Sequence, residues 1–246
     1  MPRAVHLSEY MDEPDVDRDD LARSLVYIRA VNKRLGGVSA ILDRFRKWSK
    51  RWPTDRPVTM IDLGTGSADL PVEAVAWASA SGFDLRVTAV DNHAMTLDFA
   101  RAHVTETLGE EALHDGRITL VQGDATTITD RFEPGSFDYA HAGLFLHHLN
   151  DLGVMTVLRV MDRLARAGVI WNDLVRTPIG RAAIRLMTLG QPEIIRHDAV
   201  VSVDKGFTRR ETLDLAKRVD ITYAEYSWNV LHHRFVLAGE KRESWS

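Results

Sequence analysis

The segment Val58-Thr59-Met60-Ile61-Asp62-Leu63-Gly64-Thr65-Gly66-Ser67-Ala68-Asp69 reads as a short buried strand, a glycine turn and the opening of a helix over 68–80. A glycine pair is a weak motif alone, and its place between strand and helix makes it a useful one. Glycines let the backbone approach a ligand closely, and open α/β sheets bind ligands at the carboxyl ends of their strands. A dinucleotide turn would carry a third glycine or alanine where Asp69 stands, and an acid beside the helix N-terminus opposes a pyrophosphate. A cofactor carrying an ammonium and a sulfonium suits this turn better than NAD.

Working outward, strands are expected at Leu85–Val90, Ile118–Gln122, Phe137–His141 and Gly168–Trp171, with helices over about 94–107 and 151–166. Strands alternating with helices indicate right-handed βαβ units around a parallel sheet. Residues 176–207 fit that alternation poorly and read as an insertion of helix and loop. Thr208-Arg209-Arg210-Glu211 has the capping-box pattern and opens a helix to about Val219. Two last strands, about 221–227 and 233–238, separated by Asn229–His232, read as an antiparallel hairpin.

Upstream of the turn, Asp17 is a plausible N-cap and Gly36 a stop for a helix over 18–35, with Leu21, Leu25, Ile28 and Leu35 as its apolar stripe. A second helix carries Val38, Ile41, Leu42, Phe45 and Trp48 inward, and Pro53 and Pro57 break it. The expected fold class is α/β: a Rossmann-like, seven-stranded, mostly parallel sheet with a C-terminal antiparallel hairpin. Residues 1–56 form an N-terminal helical cap, 57–240 the cofactor domain, and the 176–207 insertion joins the cap.

Composition bounds the function. The 246 residues contain no cysteine, which excludes disulfides, thiolate metal sites and a cysteine nucleophile. No apolar run reaches the roughly 18 residues of a membrane helix, and the N-terminus lacks a signal-peptide core, so a cytoplasmic location is expected. The net charge of -4 conceals an asymmetry: seven acids and one base lie between Glu9 and Asp20, eight bases and one acid between Arg29 and Arg51. The basic helical pair is either a solvated face or a patch for an anionic acceptor, an acidic carrier protein, an anionic surface or RNA.

Three acids follow successive strands. Asp91, with Asn92 beside it, ends the second strand, where a carboxylate accepts hydrogen bonds from both hydroxyls of a ribose. Gly123-Asp124-Ala125 ends the third, where it could read an adenine edge. Each acid alone could equally be a helix cap; three at successive strand ends favour a ligand. The ordered set resembles the class I S-adenosylmethionine-dependent methyltransferases over most of residues 57–240. Asp62-x-Gly64-x-Gly66 matches their first motif, Asp91 their ribose acid and Gly123-Asp124-Ala125 their adenine-contacting segment. The resemblance implies that Asp62, Gly64, Thr65, Gly66, Asp69, Asp91, Asn92, Gly123, Asp124, Ala125 and His141 bind S-adenosylmethionine, leaving S-adenosylhomocysteine as product. Leu144-Phe145-Leu146-His147-His148-Leu149, Asn172-Asp173-Leu174, Arg196-His197-Asp198 and Phe207-Thr208 resemble a bacterial small-molecule branch often found near type III polyketide synthases.

Methyl transfer is an in-line displacement in which holding the two reactants is much of the catalysis. A phenolic oxygen, with a pKa of about 10, also gains from a general base. His141, His148 and His197 are the candidates. His141 ends strand four and is either a core histidine or a cofactor contact. His147 and His148 are adjacent and expected to point in different directions. His197-Asp198, on the insertion, is either base and orienter or a loop anchor. A zinc site from His141, His147 and His148 lacks a further ligand, and no metal is expected. Tyr10 and Tyr27 either line the acceptor pocket or pack in the core.

The expected activity is methyl transfer to oxygen or activated carbon of a small phenolic, quinone-like or polyketide acceptor, with oligomerisation left open. RNA ribose methylation is the alternative within the enzymes. Exocyclic amine methylation would want an (Asp/Asn)-Pro-Pro-(aromatic) motif where His141-Ala142-Gly143-Leu144 stands, and cytosine C5 methylation would want a cysteine. A non-catalytic cofactor-binding scaffold is the third reading, disfavoured because it needs none of Gly64, Gly66, Asp91 and Asp124.

Overall fold

The computed structural model describes residues 2–229 and 232–241. Helices α1 (Arg18–Arg34) and α2 (Gly37–Trp48) lead into β1 (Val58–Leu63), α3 (Asp69–Ala80), β2 (Leu85–Asp91), α4 (Ala94–Leu108), the short α5 (Glu111–His114) and β3 (Ile118–Gln122). Then come β4 (Phe137–Gly143), α6 (Asp151–Leu164), β5 (Ala165–Leu174), α7 (Pro178–Met187), α8 (Glu193–Lys205), α9 (Arg209–Arg218), β6 (Glu225–Asn229) and β7 (Arg234–Glu240). The seven strands form one sheet in the order β3-β2-β1-β4-β5-β7-β6. β1 to β5 pair in parallel, while β7 runs antiparallel to both β5 and β6. The expected fold class is therefore the observed one. Strand order reverses between β1 and β4, the place where such sheets open a crevice at their carboxyl ends.

The sheet is covered on both faces. On one, Ile41, Phe45 and Trp48 of α2 pack with Trp52, Met60, Val87 and Tyr139, so α2 is a layer of the core. Trp52 Nε1 donates to the Tyr139 hydroxyl at 2.9 Å in that layer. On the other face Leu158 and Met161 of α6 and Leu215 of α9 pack with Ile61, Trp171 and Phe235.

Local signals explain the element ends. Asp17 accepts from the backbone of Asp19 and Asp20 at the start of α1, and Gly36 turns left-handed (φ 83°) between α1 and α2. The Thr208–Glu211 capping box is present. Several boundaries differ from expectation. The insertion is two helices, α7 and α8. β4 continues beyond His141 to Gly143, and β5 starts at Ala165 because α6 stops at Leu164. β6 starts only at Glu225, since Ile221 is buried and donates back to Ala216 O at 3.0 Å, with Asp220 at positive φ. Residues 230–231, in the stretch expected to separate the two hairpin strands, lie outside the described residues.

Candidate active site

Between β1 and α3 the chain turns through positive φ at Gly64 (69°), Gly66 (55°) and Ala68 (55°). A Cβ at Gly64 would stand 2.3 Å from the Phe145 ring, so both conformation and space demand glycine there. Asp91, at the end of β2, clasps this turn: its Oδ2 accepts from Gly66 N and its Oδ1 from His93 N, both at 3.0 Å. Burial raises the Asp91 carboxyl above its ordinary range. Each oxygen keeps a lone pair for a further donor.

Asp62 is buried at the end of β1, accepts from Thr65 Oγ1 at 2.6 Å and bonds His141 Nδ1. His141 is fully buried and its Nε2 has no hydrogen-bond partner; Ser67 Oγ in the turn is likewise unpartnered. Asp69 does not cap α3, whose N-cap is Ala68. Its buried Oδ2 accepts from Asn32 Nδ2 of α1 at 2.8 Å, and burial raises its pKa. Asn32 Oδ1 in turn accepts from Arg234 Nη2 of β7 at 2.8 Å. Gly123, Asp124 and Ala125 follow β3; exposed Asp124 accepts from the backbone and hydroxyl of Thr126, both at 2.7 Å. Asn92 follows Asp91, and its carbonyl accepts from Gln122 at 3.3 Å.

A separate cavity of about 90 Å³ lies beneath a cap. Ser24, Tyr27 and Ile28 of α1, Ile184 of α7 and Ile195 of α8 line it together with Leu144 and Leu174 at the ends of β4 and β5. α1 thus forms a wall of this cavity, while its Leu25 reaches toward the glycine turn, 3.9 Å from where a Gly66 Cβ would be. The N-terminal segment straps the cap down: Arg3 donates to Leu149 O at 2.6 Å, and Asp198 accepts from Tyr10 N and Met11 N at 2.8 and 3.0 Å.

Glu9 on this strap lines the cavity and joins a buried charge cluster. Its Oε1 lies 3.1 Å from Lys205 Nζ, 3.6 Å from His147 Nε2 and 3.7 Å from His148 Nδ1. His147 Nδ1 is held at 2.7 Å by Asp173, and His148 Nδ1 at 2.6 Å by Asp12. Desolvation alone would lower the His147 pKa; the Asp173 and Glu9 carboxylates more than reverse this and raise it to about 9. His147 is therefore an imidazolium at neutral pH. Although burial opposes it, His147 holds Asp173 below the ordinary carboxylate range, and His148, His147 and Lys205 do the same for Glu9. Three potential metal-ligand atoms of Glu9, His147 and His148 lie within 4.8 Å of one another. Lys205 and the imidazolium already supply the cations that balance Glu9 and Asp173.

The candidate histidines are thus dispersed. His141 sits beneath the glycine turn with Asp62, away from the cavity lining. His147 and His148, expected to diverge, instead lie with ring centroids 4.2 Å apart and both approach Glu9, because a 3-10 turn over Leu146–His148 brings them together. His197 and Asp198 lie on helix α8, not on a loop. Their side chains do meet, at 2.8 Å, with His197 stacked on Tyr10 at 3.8 Å and Asp198 facing the cavity. Asn172 and Asp173 lie within β5, not after it. Glu9, Asp12, Asn32, Lys205 and Arg234 escaped the sequence reading; the acidic run around Glu9 was the one hint.

The basic block does not act as a unit. Arg29 meets His103 (2.7 Å), Lys33 Glu73 (3.6 Å), Arg44 Ser227 (2.7 Å) and Arg46 Asp43 (2.8 Å), while Arg51 pairs with Glu240. Five of its eight cations are turned to separate neighbours.

Residues 60–168 match the family described as Methyltransferase domain. Comparison with curated proteins gives no match. Among solved structures, PigF with SAH aligns over 95% of this chain and 63% of its own, at 20% identity and TM-score 0.60. An O-methyltransferase family protein from Burkholderia thailandensis aligns over 92% and 59%, at 15% and 0.57. Magnesium protoporphyrin IX methyltransferase (ChlM) from Synechocystis, with bound SAH, aligns over 84% and 83%, at 12% and 0.57. At these identities the likeness is one of fold, and the chain spans less than two thirds of the first two.

Proposed function

We propose that the methyltransferase domain uses S-adenosylmethionine to methylate a small acceptor held in the capped cavity. The observation that carries this reading is the juxtaposition across α1 of two sites. One is a glycine turn lined by carboxylates; the other is an apolar cavity floored by buried acid–base groups.

The turn suits a cationic cofactor. The left-handed turn at Gly64 packs directly against Phe145, Asp91 retains acceptor capacity for ribose hydroxyls, and Asp69 is a buried carboxyl whose charge burial disfavours and whose side-chain partner is Asn32, with Arg234 more distant. An ammonium beside Asp69 would favour its ionised form. Ser67 Oγ and His141 Nε2 are buried polar atoms with unused capacity beside the same turn. When bound, S-adenosylmethionine supplies an electrophilic methyl group on a positively charged sulfur.

The cavity residues supply position, and His148, behind Glu9 of the lining, supplies a proton acceptor. Leu144, Ile184 and Ile195 give it an apolar lining that excludes water and favours a flat aromatic body. His147, already protonated and fixed between two carboxylates, cannot take a proton; it holds Glu9 in place. Glu9, stabilised as an anion, is a poor base and a good acceptor of a hydrogen bond from the acceptor's hydroxyl. His148, oriented by Asp12, receives the proton that hydroxyl loses. His197 stacks behind Tyr10 and orients Asp198. The cavity's apolar lining and the small-molecule branch resembled in sequence together support a phenolic or quinone-like acceptor.

Calorimetric titration with S-adenosylhomocysteine tests the reading. One-to-one binding is expected, weakened about tenfold or more in D91A, since hydrogen bonds to a charged group contribute about 1.5–3 kcal/mol. Absence of binding by the wild-type protein overturns it.

A further inference from the structure

Beside the capped cavity, a second and larger hollow of about 670 Å³ opens on the protein surface between α1 and the α7–α8 turn. Its volume falls within the range of small-molecule sites. Tyr27, Val31 and Ile195 line both hollows, so one layer of side chains separates the cavity from the outer groove. The groove and its surroundings expose apolar side chains: Val26 is 55% exposed, Met187 53%, Leu186 70% and Leu189 67%. Scattered exposed apolar residues need no explanation, but a cluster along a groove marks a binding surface. α7 serves both spaces, with Ile184 on the cavity and Met187 on the groove. The two charged lining residues, Arg23 and Arg34, have long apolar stems whose heads can reach water.

We propose that the groove is a subsite for an apolar tail of the methyl acceptor. The aromatic head enters the capped cavity beside Glu9, and an alkyl chain passes the Tyr27–Val31–Ile195 layer to lie between Val26 and Met187. This rests on the acceptor reading above and narrows it to amphiphilic acceptors. The shared wall of the two hollows is what favours a tail over a separate partner: a molecule filling the groove lies against the Tyr27–Val31–Ile195 layer that also lines the cavity. The 90 Å³ cavity alone is small for a drug-sized ligand, whereas the two spaces together are not.

The test uses 4-alkylphenols, from methyl to decyl, below their aggregation concentrations and in the presence of S-adenosylhomocysteine. Each methylene seated in the groove should tighten binding about three- to fourfold until the groove is full, then give a plateau. M187D and V26D alter exposed positions, and circular dichroism and thermal melting verify their folding. Each should flatten the dependence on chain length. Affinity independent of chain length in the wild type overturns the proposal, as does an unchanged slope in both variants. So does chain-independent binding accompanied by attachment to phosphatidylglycerol vesicles or by self-association lost in M187D, which would assign the face to a membrane or a second copy. A slope in that titration, with no methylation of any of these phenols when S-adenosylmethionine replaces S-adenosylhomocysteine, supports the tail subsite while removing the reading of methyl transfer to a phenol, so the two failures are distinct.

Discussion

Nδ1 of His147 lies 2.7 Å from Oδ1 of Asp173, with both side chains sealed from water and Glu9 on the far side of the imidazole. This pair makes stability depend on pH. Folding raises the His147 pKa from 6.5 to about 9, so its contribution is full below about pH 6.5 and is lost as pH rises through 9. Asp173 and Glu9 are depressed, so theirs is present above the ordinary carboxylate range and lost in acid. Urea unfolding should show a loss on the order of 3 kcal/mol between pH 6.5 and 9 in the wild type. H147Q should show little of that slope. A flat wild-type profile over this interval would contradict the ion-pair arrangement.

Gly64 tests the turn. Alanine there meets two obstacles, a left-handed backbone and the Phe145 ring. The conformation alone costs about 1–2 kcal/mol. G64A should lower stability by at least that amount and abolish S-adenosylhomocysteine binding, read by urea unfolding and calorimetry. G64A/F145A should recover part of the stability, because the ring is removed while the backbone strain stays.

Asp69 separates folding from binding. Burial disfavours its charge, and Asn32 can donate equally well to an amide oxygen. D69N should therefore unfold within about 1 kcal/mol of the wild type. If Asp69 holds the cofactor's ammonium, affinity for S-adenosylhomocysteine should fall about 10- to 100-fold in the same variant.

His148 is the proton acceptor in the proposed reaction and is only partly buried. H148N should reduce kcat about 10²-fold or more while leaving S-adenosylhomocysteine affinity unchanged. D12N should give a smaller loss and shift the pH–rate profile, the sign of an orienting role. A profile unmoved by D12N, together with near-normal kcat in H148N, would transfer the role to Asp198.

What could be read from the sequence was local. The run from Val58 to Asp69 carries its own strand, turn and helix signals, and Asp91 and Asp124 were found because strand ends are visible as composition changes. The charge cluster beside the capped cavity was not legible for the opposite reason. Glu9 meets Lys205, 196 residues later, and Asp12 meets His148, 136 residues later; neither pairing leaves any periodicity or spacing to detect. The adjacent His147 and His148 seemed obliged to diverge, yet the 3-10 turn and the returning strap bring both onto one carboxylate. The basic block reads in sequence as either a solvated face or a patch because its partners, such as Glu73, Ser227 and Glu240, are remote in sequence.

The link from Asn32 through Arg234 joins residues 202 apart, the first long helix to the last strand. At a translation rate of about 5–20 residues per second, the ribosome emits Asn32 roughly 10 to 40 s before Arg234 appears. During that interval the sheet can begin to assemble from β1 onward, but α1 lacks the guanidinium that fixes Asn32 over Asp69. The α1 wall of the capped cavity, although encoded first, is therefore among the last parts of the molecule to become permanent. A nascent chain halted before β7 would present the glycine turn with its lid unlatched.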